Sequence, residues 1–397
     1  VAPITTLHRE LGFIHDPDPA DWTHLPLLRT SERGSYTRCR EQWHNSSVLR
    51  ITRSRTGNAL RFGSMVHTAL EEYYVPGIKR GPHPAGTFLR EYDKAAQEAG
   101  YDFSIRDEDE EWVAARELGQ AMLENYVDHW QERDKAWNVL APEVPAMAVV
   151  LDKAGKPMVR YLMQFDAVIW DSELNRYLFV DHKTAASLLD PNEKELDDQC
   201  GTYWLFGPAY LAANGWIPED ADISGFLYNV LRKGLPDERP KNDKGQALNK
   251  PSKDDLLRAV AALGVPNPPK PTVAALTAAL EAAGHDPAQY GQPSKRQSPP
   301  LFQRFTVYSG DDRRQNVLER IRMQAYEMNL VRKGKLGVYR VPMFGGLGAC
   351  TMCEFYDLCQ LKEDGADWEV LLDMDYEPRD PYAQYRELLP IDEDFNE

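Results

Sequence analysis

Two stretches decide the fold: Tyr161-Leu162-Met163-Gln164-Phe165-Asp166, and Arg176-Tyr177-Leu178-Phe179-Val180-Asp181-His182-Lys183-Thr184. They belong to two runs, Val159 to Trp170 and Arg176 to Asp181, rich in β-branched and aromatic residues. Asp171-Ser172-Glu173-Leu174-Asn175 between them carries turn chemistry, so the pair reads as a β-hairpin. Side chains alternate along a strand, which puts Asp181 and Lys183 on one face and lets the hairpin bring Asp166 beside them.

Outward from the hairpin, Met147 to Leu151 reads as a third strand, and Pro142 and Pro145 interrupt the pattern around Glu143. Apolar positions at helical spacing mark helices over 64–74, 88–99 and 107–133, and after the hairpin over 195–212. Ile223 to Leu231 and Phe302 to Tyr308 read as strands and 311–331 as a helix. This order predicts an α/β (α+β) chain with a mixed central sheet flanked by helices. Between 236 and 300 the composition turns rich in Lys and Pro around two short helices, 254–263 and 273–283, with Ser252 and Thr272 at N-cap positions. That insertion resembles small helix-extension-helix modules that bind DNA. The expected organisation is a helical N-terminal region (1–140), a core (141–235), the insertion (236–300), a return of the core with a cysteine cluster (301–360) and an acidic tail (361–397).

The 397 residues carry a net charge of −16, which excludes a simple nucleic-acid coat protein, and 42% hydrophobic content excludes global disorder. No apolar run approaches the ~18 residues of a membrane span, and no basic-then-apolar leader opens the chain, so a soluble protein with no membrane partner is expected. The charge is uneven. Arg29 to Arg61 holds eight arginines against Glu32 and Glu41, while Leu361 to Glu397 holds 13 acids against three basic residues. Arg38, Arg40, Arg50, Arg53, Arg55 and Arg61, interleaved with Tyr36 and Trp43, suit phosphate contacts and base stacking along a single strand. The acidic end reads as a solvated terminus, or as a shield over the basic surface.

Two carboxylates and a lysine on one hairpin suit Mg²⁺ or Mn²⁺ and phosphodiester hydrolysis: hard oxygens hold the ion, and the ammonium orients water or steadies developing charge. Alone, so short a pattern is more often an ordinary surface hairpin. Further residues join it. His67 and Glu71 lie one helical turn apart, where His67 offers an imidazole ligand, and Gln199 and Tyr203 are likewise four apart in the helix after the hairpin.

Gly63-Ser64-Met65-Val66-His67-Thr68-Ala69-Leu70-Glu71, Gln164-Phe165-Asp166, Val180-Asp181-His182-Lys183-Thr184 and Gln199-Cys200-Gly201-Thr202-Tyr203 resemble, in order and spacing, the RecB-like branch of the PD-(D/E)XK nucleases. That branch includes the AddB helicase-nuclease subunits and small exonucleases of CRISPR adaptation. The resemblance runs from about Arg38 to Gln360, outside the insertion. It implies a restriction-endonuclease-like fold and end-dependent cleavage of single-stranded DNA. It further implies His67, Asp166 and Asp181 as metal ligands with the His182 carbonyl as a further one, Lys183 as the catalytic lysine, and Gln199 and Tyr203 as the motif's helix pair. A cytoplasmic protein, bacterial or phage-encoded, is expected, with phage replication, repair, recombination and spacer acquisition all open as its pathway. No G-x4-GK[ST] motif is present, so a helicase partner is expected to be a separate chain; a non-catalytic scaffold that binds DNA ends is the alternative.

The five cysteines point to a metal site rather than a disulfide framework. Cys350, Cys353 and Cys359 lie within ten residues and need a fourth ligand, for which Cys39 is the candidate. This arrangement resembles the 4Fe-4S site of the same nuclease branch, with zinc as the alternative. The cluster is expected to act as a staple tying Cys39 to the C-terminal cysteines. Cys200 is expected to be a packing residue.

Overall fold

The computed structural model describes residues 11–15, 19–54, 58–100, 110–221, 223, 225–344 and 350–389, without the side chains of 58–60. Two compact units result: 189–231 together with the chain before 186 and after 302, and a small one of 186–188 and 232–302.

The larger unit begins with β1 (Phe13–Ile14), β2 (Leu27–Arg29), α1 (Thr30–Arg38), α2 (Arg40–Trp43) and β3 (Ile51–Arg53). Three helices follow: α3 (Asn58–Tyr73), α4 (Pro84–Glu98) and α5 (Glu110–Trp130). Then come the long strands β4 (Trp137–Leu151), β5 (Pro157–Asp171) and β6 (Arg176–Ala185), the short helix α6 (Pro191–Lys194), α7 (Asp198–Ala213) and β7 (Gly225–Arg232). The sheet runs β1-β4-β5-β6-β7, with β2 parallel to β5 while β4 and β6 are antiparallel to it, so the sheet is mixed. Strands covered on both faces read as continuous apolar runs, and in β7 every residue from Gly225 to Leu231 is buried.

β4 passes straight through Pro142 and Pro145, where the sequence suggested an interruption. Pro142 pairs with Ala167 and Pro145 with Gln164. Neither proline breaks the ladder, because here the other edge of β4 has no strand partner among the described residues; β1 reaches only Val149 and Val150. The chain accommodates the pair by placing Glu143 at φ 43°, in the left-handed region.

In the small unit, α8 (Lys253–Leu263) starts with a capping box between Ser252 and Asp255, and Thr272 caps α9 (Val273–Ala282). Leu256, Val260, Leu276 and Leu280 form its own core. The chain then returns through β8 (Phe302–Tyr308), next to β7, and α10 (Asp311–Arg332), which packs on α7 where Gly201 leaves room: a Cβ there would lie 2.5 Å from Val317.

The acidic end is not a solvated tail over its described length. α11 (Tyr356–Glu363) and α12 (Trp368–Asp375) lead to β9 (Tyr376–Pro378), which pairs with β3. Tyr382, Tyr385 and Leu389 are buried against Leu27, Met147 and Leu162. The acids face outward while the aromatic and leucine residues between them fill the core; residues 390–397 lie outside the described chain.

Candidate active site

The site lies where two paired strands part. β6 follows β5 from Arg176 to Val180, the last pair being Ala167 with Val180. Beyond it the ladder stops, and the Asp166 Oδ2 accepts the His182 backbone N–H at 2.8 Å. On the same edge of β5, β2 covers only Arg160 to Leu162, so Asp166 stands in the gap between two neighbours.

α3 delivers His67 to this gap. It packs closely because position 63 is glycine: a Cβ there would lie 3.3 Å from the Thr184 hydroxyl. One turn later the His67 Nδ1 is 3.5 Å from the Asp166 Oδ2. Glu143, level with Asp166 on β4, completes a triplet, and one ligand atom from each of His67, Glu143 and Asp166 lies within 4.8 Å of the others. Burial, then the neighbouring Asp166 charge, pushes the Glu143 carboxyl up to about 8, against a hydrogen bond from Gln164 that lowers it. Glu143 was missed in the sequence because its flanking prolines suggested a break. Its signal was a lone carboxylate inside an otherwise apolar run.

Asp181 is fully buried beside this triplet and is not a member of it. Both of its oxygens lie 2.9 Å from the Lys183 Nζ, and its Oδ1 also accepts from the Gln199 Nε2 at 2.9 Å. Burial pushes Asp181 up to about 7, with Lys183 opposing the shift. Burial acts to lower the Lys183 ammonium, but the charges of Asp181 and Asp166 outweigh it and hold its pKa above the usual value. The Gln199 side chain ties the group together: its Oε1 accepts from Lys183 at 3.1 Å, and its Nε2 also donates to the Tyr203 hydroxyl at 3.1 Å. Tyr203 in turn donates to the Gln164 carbonyl. α7 is set by Asp197, which caps the Gln199 amide at 2.8 Å, and by Asp198, held between buried Arg33 at 3.0 Å and Arg320 at 2.8 Å.

The His182 side chain points into a buried network. Arg304 donates to Asp134, to the Tyr126 hydroxyl at 2.8 Å and to the Asn229 Oδ1 at 2.9 Å, with Trp130 and Trp137 4.0 and 4.1 Å from its guanidinium. With its oxygen so engaged, the Asn229 Nδ2 donates to the His182 Nδ1 at 2.7 Å. Burial pushes His182 down to about 3, so the ring is neutral, and it stacks on Tyr74. Asn229, the one polar residue among the buried positions of β7, and Arg304 in β8 were not recognised in the sequence.

Cys39, at the junction of α1 and α2, lines one cavity with Cys350, Cys353 and Cys359, together with Val341, Met343 and Phe355. Backbone amides point at two sulfurs, Val341 N–H at Cys39 (3.4 Å) and Met343 N–H at Cys350 (3.2 Å). Among the described residues no three of these sulfurs lie within 4.8 Å of one another. A tetrahedral Zn²⁺ with ~2.3 Å bonds draws its sulfurs to about 3.8 Å. Cys200 is elsewhere, buried 3.1 Å from the Tyr228 hydroxyl.

The basic segment is largely committed within the fold. Trp43 is fully buried and donates to Glu32, so it offers no face for a base; its edge-on contact with Tyr36 and the Arg332 guanidinium above it make it a core residue. Arg40 pairs with Glu327 and lies over Tyr36 and Tyr339, Arg53 pairs with Asp357, Arg61 lies over Trp112, and Arg38 donates to Gln42. Arg50 sits at φ 55°, and Arg55 is outside the described residues.

No described helix is long and apolar enough to cross a membrane. No curated protein matches the chain. The family model of the PD-(D/E)XK nuclease superfamily matches residues 31–360, a span that contains the forked hairpin, the His67 helix and all four cavity cysteines. With a mixed sheet flanked by helices and a His/Glu/Asp cluster able to chelate one metal ion at its centre, the chain belongs to the PD-(D/E)XK nuclease superfamily.

Proposed function

We propose that the chain is a Mg²⁺- or Mn²⁺-dependent deoxyribonuclease of the RecB-like branch, an exonuclease acting on single-stranded DNA or DNA ends. The observation that carries this reading is the His67, Glu143 and Asp166 triplet beside Asp181 and a charged Lys183. The donor set fits a hard divalent ion: two carboxylates and an imidazole converge, one ligand atom of each within 4.8 Å of the others. Such an ion would supply Lewis acidity toward a phosphate oxygen and make a bound water more acidic than bulk water. Lys183, kept protonated by Asp181 and Asp166, opposes the negative charge that grows on the phosphate oxygens. Gln199 and Tyr203 fix the lysine and Asp181 so that neither reorients as charge develops.

The four cysteines suit a 4Fe-4S cluster as a structural staple. Thiolate ligands, apolar walls and backbone N–H groups aimed at sulfur support it, with zinc as the alternative.

The test is digestion of end-labelled linear and circular single-stranded DNA with Mg²⁺ or Mn²⁺, using the parent and Asp181→Ala. The parent is expected to degrade linear DNA and spare circles, and the variant to be inactive. Equal degradation by both overturns the site; degradation by neither favours a DNA-end-binding scaffold.

A further inference from the structure

The small unit carries a charge opposite to that of the chain. Within it, the two arms that flank the helical pair, 232–250 and 291–302, hold eight basic residues against three acids, while the helical segment 251–290 holds three against four. The chain as a whole is at −16. At an ionic strength near physiological, fields fade over about 8 Å, so a ligand at the arms responds to their local charge rather than to the chain's total.

The arms are tied into one surface. Lys241 bridges Ala247 and Leu248 bridges Pro293, both antiparallel. Ala247 accepts the Ser294 amide at 2.8 Å and donates to the Gln297 side chain at 2.7 Å, and Arg239 donates to the Arg296 carbonyl at 3.0 Å. These bonds gather Lys241, Lys295 and Arg296 around Ala247, with Lys244 in the adjoining turn from Asn242 to Gln246. All four are exposed, and none makes an ion pair among the described residues. The nearby Asp237 is already taken by Arg239. Pro236, Pro240 and Pro293 stiffen the arms, so little chain entropy is lost when the basic groups engage a ligand.

We infer that the paired arms of the small unit, and not its two helices, form a phosphate-binding face for the DNA backbone, centred on Lys241, Lys244, Lys295 and Arg296. The inference rests on DNA being the substrate, as proposed above. Spaced, unpaired ammonium and guanidinium groups suit repeated phosphates, and their binding releases counterions, so affinity should fall steeply with salt.

The test is fluorescence anisotropy of a 30-nucleotide single strand with full-length protein carrying Asp181→Ala, in chelator, over a salt series. Adding Lys241→Gln, Lys244→Gln, Lys295→Gln and Arg296→Gln together should weaken binding at least tenfold in low salt. At ~0.7 per phosphate contact, the log–log salt slope should drop by about 3. Lys253→Gln with Lys270→Gln, on the helical segment, should leave the slope unchanged. Lys244→Gln alone, at an exposed turn, should lower the slope by about 0.7 and guards against misfolding of the fourfold variant. An unchanged slope in both arm variants overturns the inference, as does an equal drop in the helical variant. The two readings separate cleanly: DNA degradation with an arm-independent slope leaves the nuclease standing, and an arm-dependent slope without degradation leaves the face standing.

Discussion

The carboxylate of Asp166, one residue beyond the last β5 to β6 pair, holds the backbone amide of His182, two residues beyond it, at 2.8 Å. A side chain thus replaces the next rung of the ladder, and β5 and β6 part at the point where β6 carries Asp181 and Lys183. Asp166 therefore has two tasks, and substitution separates them. Asp166→Asn keeps an oxygen for the amide and should unfold within about 1 kcal/mol of the parent, while DNA cleavage falls by 10²-fold or more. Asp166→Ala leaves the amide unpaired as well and should cost about 1–3 kcal/mol in denaturant unfolding. Equal stability of the two variants would remove the structural half of this account.

Glu143 combines a left-handed backbone with a half-buried, desolvated carboxylate, two features that cost stability at a site that binds nothing. Glu143→Gly relieves both. The metal-free variant is expected to be more stable than the parent by about 1 kcal/mol. By calorimetry it should bind Mn²⁺ at least tenfold more weakly. A variant that matches the parent in Mn²⁺ affinity would exclude Glu143 as a ligand.

Burial raises two carboxyls in the metal-free site, Asp181 to about 7 and Glu143 to about 8. The sign follows from linkage: the folded chain holds protons that the unfolded chain releases near pH 4, so their contribution to stability is full below pH 4 and is lost as pH rises toward 8. The metal-free protein should therefore lose Tm between pH 5 and 8, less so in Asp181→Asn. Metal binding must displace the same protons, so Mn²⁺ affinity should rise over that range. Calorimetry in buffers of different ionisation enthalpy measures the release directly, and zero protons released at pH 7 would contradict the raised carboxyls.

Legibility in the sequence followed the physics of each element. The hairpin of Tyr161 to Thr184 was readable because alternation and turn chemistry are local, and local signals also gave the caps at Ser252 and Thr272. Glu143 was hidden because proline pairs usually end a strand, and only the unpaired edge of β4 tolerates them. Trp43 was misread because a tryptophan among arginines looks the same in sequence whether it faces solvent or core; Glu32 and Arg332, far apart in the chain, decide the matter. The C-terminal stretch hid its buried Tyr382, Tyr385 and Leu389 under its net charge.

Asn229 links the Arg304 guanidinium to His182, so the strand bearing Asp181 and Lys183 is braced from behind by a network that touches neither. Asn229→Asp offers Arg304 a carboxylate but removes the donor to the His182 Nδ1; Asn229→Leu removes both bonds and strands a buried guanidinium Nε–H and an imidazole nitrogen. Each buried group left without a partner costs about 1–3 kcal/mol, so Asn229→Leu should be the less stable by denaturant melt. In Asn229→Asp the new charge beside the imidazole should draw a proton onto His182, raising its pKa from about 3 toward neutrality. Nuclear magnetic resonance of the His182 ring measures that shift, and DNA cleavage measured alongside should fall as the pH is lowered through the new pKa. A ring that stays neutral down to pH 4 in this variant would show that Asn229 does not set the His182 tautomer.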